Sequence, residues 1–414
     1  MKMVRSLAAG AAVVFALASA VASAETVRIA YIDTLSGLMG SLGNNELKSW
    51  QYVTEVANQQ DWAGGPKFEM VPFDNKLSPQ QSLTLLNEAA DQGIRYITQG
   101  NGSSVGLALE DAVSKYNARN PGKEIIYLNF AAVDPAMTNA KCDYWHFRLD
   151  ANSDMKMEAL TTFLAKDPNV KKVYLIDQDY SFGHDVSRTA QEYLKRKRPD
   201  IQIVGDDFHP LAQVKDFSPY ASKIKASGAD TVITGNWGSD LALLIKAGKD
   251  AGVTANYYTY YASTTGVPTA MGAAGAGHVR YVGYMGPNTK GNPPQADQIM
   301  DGFKKKYDDD FFEMAAYTGV ALLSKAFKET KSTDPVKVAK ALEGMKVESL
   351  NGTVEMRASD HQAEQPLVIA TWVKVDGKDV KYDQEKTGYG WRTETVLDAA
   401  SATQPTTCQM KRPN

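Results

Sequence analysis

Tyr96-Ile97-Thr98-Gln99-Gly100-Asn101-Gly102-Ser103-Ser104-Val105-Gly106 is the stretch that decides the fold. A short β-branched and aromatic run stops at a glycine-rich turn, and residues 108–118 then carry the apolar spacing of a helix. A strand feeding a helix in this way is half of a βαβ unit. The alternation recurs outward in both directions, with strand patterns at 27–32, 68–73, 125–130 and 145–149 and helical patterns at 46–58 and 79–92. This is the rhythm of a parallel sheet covered by helices on both faces. It repeats at 173–176, 201–204, 231–234, 257–261 and 281–284, too many strands for one lobe, so a second sheet is expected.

After Pro293-Pro294 the chain changes character. Helical patterns at 296–307, 311–328 and 335–342 follow, the last opened by Ser332-Thr333-Asp334-Pro335 as a capped helix with proline in its first turn. Residues 352–356 and 367–375 read as antiparallel strands, with Asp376-Gly377 as a turn. From Thr395 onward an Ala, Ser, Thr, Gln and Pro rich composition reads as an ill-ordered tail, yet Cys408 inside it argues for a tether. The Gly272-Ala273-Ala274-Gly275-Ala276-Gly277 segment reads as a flexible loop.

Lys2 and Arg5, the apolar run 7–20 and Ala22-Ser23-Ala24 have the layout of an export signal, cleaved after Ala24. The run is shorter than the roughly 20 apolar residues that span a bilayer. Glu25, not Cys, follows the cleavage point, which leaves no residue there for a lipid anchor. A soluble protein of the periplasm, not embedded in a membrane, is therefore expected. What remains of the 414 residues is enough for two lobes of ordinary size. A formal net charge of -3 offers no basic face for nucleic acid, and Lys195-Arg196-Lys197-Arg198 reads as the solvated C-terminal end of a helix. Cys142 and Cys408 are the only cysteines, and in an oxidising compartment a lone pair is expected to be bridged. The five histidines show no metal-ligand spacing, and neither a metal nor a cofactor is expected.

In open parallel sheets ligands sit outside the C-terminal strand ends, so the residues just after each strand are the candidates for a site. The Gly100–Gly106 loop could hold an anion with its serine hydroxyls and the free amides of a helix start. It also matches the nucleophile-elbow pattern G-x-S-x-G around Ser104, which keeps a secreted serine hydrolase open, although no histidine precedes His146 to build an HGGG-type oxyanion loop. A second loop, Phe130-Ala131-Ala132-Val133-Asp134-Pro135, is small enough for close approach to backbone. Aromatics recur after later strands, namely Tyr180 and Phe182, Trp237, and Tyr260 with Tyr261. Such recurrence at strand ends favours a small-molecule pocket.

Taken together, 27–32 with Leu35-Ser36-Gly37, the Phe73-Asp74-Asn75 strand end, Tyr96-Ile97 and Phe147-Arg148 resemble the leucine/isoleucine/valine-binding branch of the type I periplasmic binding proteins. The resemblance runs over nearly the whole chain after residue 24. It implies an α/β fold of two Rossmann-like lobes with parallel central sheets, joined by a hinge of about three crossovers. One lobe would comprise 25–150 plus 285–355 and the other 151–284 plus 356–395, leaving 396–414 as the tail. It implies a ligand carboxylate held at Ser103 and Ser104 and at the Ala131, Ala132 and Val133 loop, where Val133 replaces a threonine. Phe182, Trp237 and Phe312 would be pocket aromatics. Tyr261 stands where the family has an acid for the ligand ammonium, which favours an aromatic or apolar carboxylate over an α-amino acid unless another acid such as Asp179 takes over. The implied role is capture of such a ligand for an ABC importer. Its permease and ATPase subunits would be the partners, since this chain has no phosphate-binding G-x-x-x-x-G-K-[ST] loop of its own. A monomer is expected, and a ligand sensor for a membrane receptor is the remaining alternative.

Overall fold

The computed structural model describes residues 25–284 and 286–413, so the expected export signal lies outside the described residues. The first sheet is built from β1 (Thr26–Asp33), β2 (Lys67–Asp74), β3 (Tyr96–Gln99), β4 (Ile126–Asn129) and β5 (His146–Arg148). All its pairings are parallel, in the order β2-β1-β3-β4-β5. The second sheet takes β6 (Lys172–Gln178), β7 (Gln202–His209), β8 (Thr231–Thr234), β9 (Asn256–Thr259) and β10 (Val279–Gly283) in parallel. A small antiparallel sheet of β11 (Lys346–Ser349), β12 (Gly352–Met356) and β13 (Ala363–Glu364) follows. β14 (Leu367–Lys374) and β15 (Tyr389–Leu397) then join the second sheet antiparallel, beside β10.

The helices are α1 (Gly40–Gln59), α2 (Pro79–Asp91), α3 (Ser103–Arg119), α4 (Ser153–Leu164), α5 (Ser181–Lys197), α6 (Ser218–Ser227), α7 (Gly238–Ala251), α8 (Val267–Met271), α9 (Pro294–Tyr307), α10 (Met314–Thr330), α11 (Pro335–Leu342) and α12 (Ala399–Ala402). None is long and apolar enough to cross a membrane. The βα rhythm of the sequence thus builds two sheet-centred lobes. The first core joins Ile29, Ile97 and Leu128 to Phe303, Leu323 and Val354, while the second lobe has one core around Leu175, Ile233, Tyr258, Leu367 and Ile369 and another around Tyr174, Val232, Trp372 and Trp391.

The chain passes between the lobes near Asp150, between β10 and α9, and between β13 and β14. Met356 and Ala363 are buried in the first core, and β13 pairs with β12. The passages are laced together. Gln365 Nε2 donates to Leu149 O and Gln362 Nε2 to Asp150 O, at 2.8 and 2.7 Å. Across the cleft the lobes meet, with Met39 and Leu42 of the first packing into a core of the second.

Two expectations change. The turn at Asp376-Gly377 forms, but inside a longer connection, 375–388, rather than a tight hairpin. Gly272–Gly275 is a 3-10 turn rather than a loose loop, since Trp372 Nε1 donates to Gly272 O at 2.8 Å. The tail is ordered, as the tether expected at Cys408 requires. Its first residues complete β15, Ala402 is buried in a core of the second lobe, and Cys142 and Cys408 form a disulfide that ties the end to the first lobe.

Candidate ligand-binding site

Loops at the C-terminal ends of β3 and β4 in one lobe, and of β6, β8, β9 and β10 in the other, converge on one cavity between the lobes. The first-lobe loop is held from below by Asp33 at the end of β1. Its Oδ2 accepts from the Gly100 and Asn101 amides at 2.8 and 3.0 Å. Burial pushes the Asp33 carboxyl up to about 6, and these amide hydrogen bonds pull the other way. Two glycines are required here. A Cβ at Gly100 would stand 2.3 Å from the Phe130 ring, and Gly102 caps α3 with a φ of 85°.

α3 therefore starts at Ser103, with its N-terminus at the cavity. Among the described residues the Ser103 and Ser104 amides have no acceptor, as expected for the first turn of a helix. Ser103 Oγ accepts from the Asp134 amide at 3.2 Å, which leaves its own proton free to donate. Free amides, a hydroxyl donor and the positive helix end together form an anion-binding group.

The structure brings Ser103, Ala131, Val133, Phe182, Trp237, Tyr261 and Phe312 to the cavity wall. It leaves out two expected residues. Ser104 is exposed and off the wall, because the next position of a helix is turned by about 100°. Ala132 faces inward, its amide donating to Asn129 Oδ1 and its carbonyl accepting from Asn129 Nδ2, both at 2.8 Å. Ser104 has no histidine partner among the described residues, so the elbow pattern is a helix start rather than an assembled triad.

Aromatics close the second-lobe side. Phe182 is buried, with its ring centroid 5.9 Å from those of Tyr180 and Tyr260 and 6.2 Å from that of Tyr261. Trp237 Nε1 donates to Tyr180 Oη at 2.9 Å, and Tyr260 Oη to Ser153 O at 2.9 Å, so the indole and phenol groups are satisfied as they are buried.

Charged residues also line the cavity, namely Glu46, Asp150, Lys156 and Glu313, none of them a sequence candidate. Lys156 is 1% exposed, donates to Asp150 Oδ2 at 2.5 Å and lies 4.5 Å from the centre of the Tyr261 ring. Tyr261 thus faces the protein's own ammonium. Glu313 caps α10, accepting from the Ala315 amide at 3.1 Å and from Tyr284 Oη at 2.7 Å. Asp179, the acid suggested by the sequence, is exposed on His184 and off the cavity wall. Glu46 and Glu313, not Asp179, are thus the acids that stand on the cavity wall beside the Lys156–Asp150 pair.

The profile of the family described as periplasmic binding protein matches residues 26–379. The chain belongs to the periplasmic binding protein family. This periplasmic binding protein is 31% identical over 402 residues to Leu/Ile/Val-binding protein homolog 4 of Brucella abortus, covering 95% of this chain and 94% of that one. It superposes with a TM-score of 0.83 at 30% identity on the closed conformation of the leucine-, isoleucine-, valine-, threonine- and alanine-binding protein of Brucella ovis. That match covers 94% of this chain and 100% of that one. A Rhodopseudomonas palustris solute-binding protein in complex with 3,4-dihydroxybenzoic acid shares the fold, with a TM-score of 0.78 at 19% identity over 90% of this chain and 98% of that one.

Proposed function

We propose that this periplasmic binding protein is the ligand-capturing component of an ABC importer, closing on a small carboxylate and presenting the closed form to a membrane permease. What carries the reading is the cavity shared between the lobes, with the anion-binding start of α3 on one wall and aromatics on the other. Closure by hinge motion would join the two walls around the ligand and stabilise the closed state. The names of the Brucella relatives point to amino acids with apolar side chains, and the palustris complex to aromatic acids. Both classes pair a carboxylate with an apolar body, as the walls do.

A thermal-shift screen over leucine, isoleucine, valine, benzoate and phenyl-substituted acids tests this. A ligand at 100 times its Kd adds about 2.7 kcal/mol of apparent stability. No response to any small carboxylate would sink the reading.

Ser103→Ala should weaken carboxylate binding by about 1 to 3 kcal/mol, the usual loss for a hydrogen bond to a charged group. Ser104→Ala should change it by less than about 0.5 kcal/mol, because only the backbone amide of Ser104 points to the ligand. Calorimetric titration of both variants checks the order. A larger effect at Ser104 would return weight to the hydrolase alternative.

A further inference from the structure

The connection between β14 and β15, residues 375–388, reaches from one lobe to the other. Its base is fastened to the second lobe, where Gln384 Oε1 accepts from Trp391 Nε1 at 2.7 Å and Gln384 Nε2 donates to Ser263 O. The Glu385 carboxylate then caps the start of α8, accepting from the Gly266 amide at 2.5 Å and from the Thr269 amide at 2.8 Å. Ser263 and Thr264, on the segment that leads into α8, line the cavity. The strap is therefore anchored on a piece of the second-lobe wall. Its tip lies on the first lobe. The Glu385 amide donates to Asp310 Oδ2 and Lys386 Nζ to Asp308 Oδ2, both at 2.6 Å. Lys304 steadies the receiving side, donating to Asp310 Oδ1 at 2.9 Å with its Nζ 3.9 Å from Asp383 Oδ1. Asp308 and Asp310 sit in the turn between α9 and α10, flanked by Phe303 and Phe311 of the first core and followed by Phe312 and Glu313 of the cavity wall. One residue, Glu385, thus ties the two walls together, its side chain on one and its backbone on the other.

The tip is also wound tight. Glu385 and Lys386 are consecutive non-glycine residues with φ of 53° and 57°, a left-handed conformation that costs an L-residue energy and persists only where its surroundings hold it. Two of those holds, Asp308 and Asp310, belong to the other lobe. When the lobes part, the strap loses them and keeps its strain.

We propose that the 375–388 strap is a latch between the lobes, which fastens the closed state, lets go when the lobes part, and so sets the balance between open and closed forms whatever fills the cavity. This rests on the hinge closure proposed above and not on the chemistry of the ligand. Besides the passages of the chain itself, the latch is a link between the lobes that is not covalent and can release. Its parts are unequal. A hydrogen bond to a carboxylate outweighs an exposed ion pair, so Asp310 carries most of the hold and the Lys386–Asp308 pair, with side chains 61% and 80% exposed, adds a little. Because apparent affinity scales with the fraction of protein in the binding-competent form, weakening the latch should weaken every ligand by one factor.

Small-angle scattering of the ligand-free protein and calorimetry with leucine and with benzoate test this. Asp310→Ala should raise the ratio of open to closed protein about tenfold, seen as a larger radius of gyration, and should weaken binding of both acids by that same factor. Should that variant fail to fold, Asp308→Lys, at an exposed position, should act in the same direction by about threefold, and adding Lys386→Asp should reverse it. The reversal separates a latch from a general loosening of the fold. An unchanged open fraction in the ligand-free variants, no reversal by the second charge change, or unequal losses for leucine and benzoate overturns the latch. Failure of both acids to bind the parent counts against the carboxylate reading alone, because the scattering of the ligand-free protein still decides the latch.

Discussion

Lys156→Met is expected to destabilise the protein by about 3 to 5 kcal/mol at pH 8, and by clearly less at pH 5. The loss comes from the partner left behind. Asp150 is fully buried, and its Oδ1 has no partner among the described residues, so Lys156 is the main offset to its desolvation. Even with Lys156 in place, burial holds the Asp150 carboxyl above its ordinary value. Removing the ammonium raises it further. A folded-state pKa raised above the unfolded one contributes stability that is fully present below the unfolded value and is lost as pH rises through the folded value. At pH 5 the orphaned Asp150 is largely protonated and cheap to keep, whereas at pH 8 it must either ionise in the interior or hold its proton against the solvent.

Adding Asp150→Asn to Lys156→Met should restore most of the loss, since the amide removes the charge and keeps the shape. Urea denaturation of the single and double variants at both pH values is the measurement. Equal losses at pH 5 and 8, or no rescue by the second change, would show that Lys156 acts through its packing against Tyr261 and not through the ion pair.

These charged positions also mark where the sequence stopped being readable. Strand ends were legible because β-branched runs and glycine turns are local signals, and through them Ser103, Ala131, Val133, Phe182, Trp237 and Tyr261 could be placed at a cleft. Ser104 reads as the donor to the ligand, yet Ser103 faces the cavity, because which serine does so depends on where the helix starts and α3 starts at Ser103. Glu313 was hidden inside a helical pattern that began at Phe311. Its side chain caps α10 instead, so the helix opens at Met314 and leaves Phe312 and Glu313 to the cavity. Glu46 read as the first residue of a helix and is in fact inside α1, on its buried side. A buried charge is a property of what packs around it, and nothing in the spacing of α1 or α4 says that Glu46 or Lys156 points inward. The small third sheet was hard to read for a related reason. β13 is two residues long, and its pairing with β12 and the burial of Ala363 are tertiary facts with no local signal.

Replacing both Cys142 and Cys408 by serine should cost about 2 to 5 kcal/mol of stability while leaving ligand affinity nearly unchanged. The bridge joins positions 266 residues apart, so opening it frees a long loop in the unfolded chain. The folded tail has further holds: Thr406 Oγ1 donates to Thr138 O at 2.8 Å, the Thr407 amide to Asn139 Oδ1 at 2.9 Å, and Met410 is buried in the first core. Arg412 adds an ion pair with Glu343 at 2.8 Å, half exposed and of small energy. Each is modest, and none fixes the backbone as a covalent link does, so the tail of the variant should open locally far more often than the lobes unfold. Proteases should therefore cut between residues 398 and 412 in the variant and leave that segment intact in the disulfide-bonded protein. The cavity should be little affected, because Arg148 holds the Asp134 loop independently, donating from Nη1 to Asp134 O at 2.6 Å and from Nε to Gln362 Oε1 at 2.7 Å. A variant as stable as the parent would show that burial of Met410 and the threonine contacts suffice. A large fall in affinity would show instead that the tail, acting through Thr138 and its bond to Arg148, helps to set the loop on which Ser103 depends.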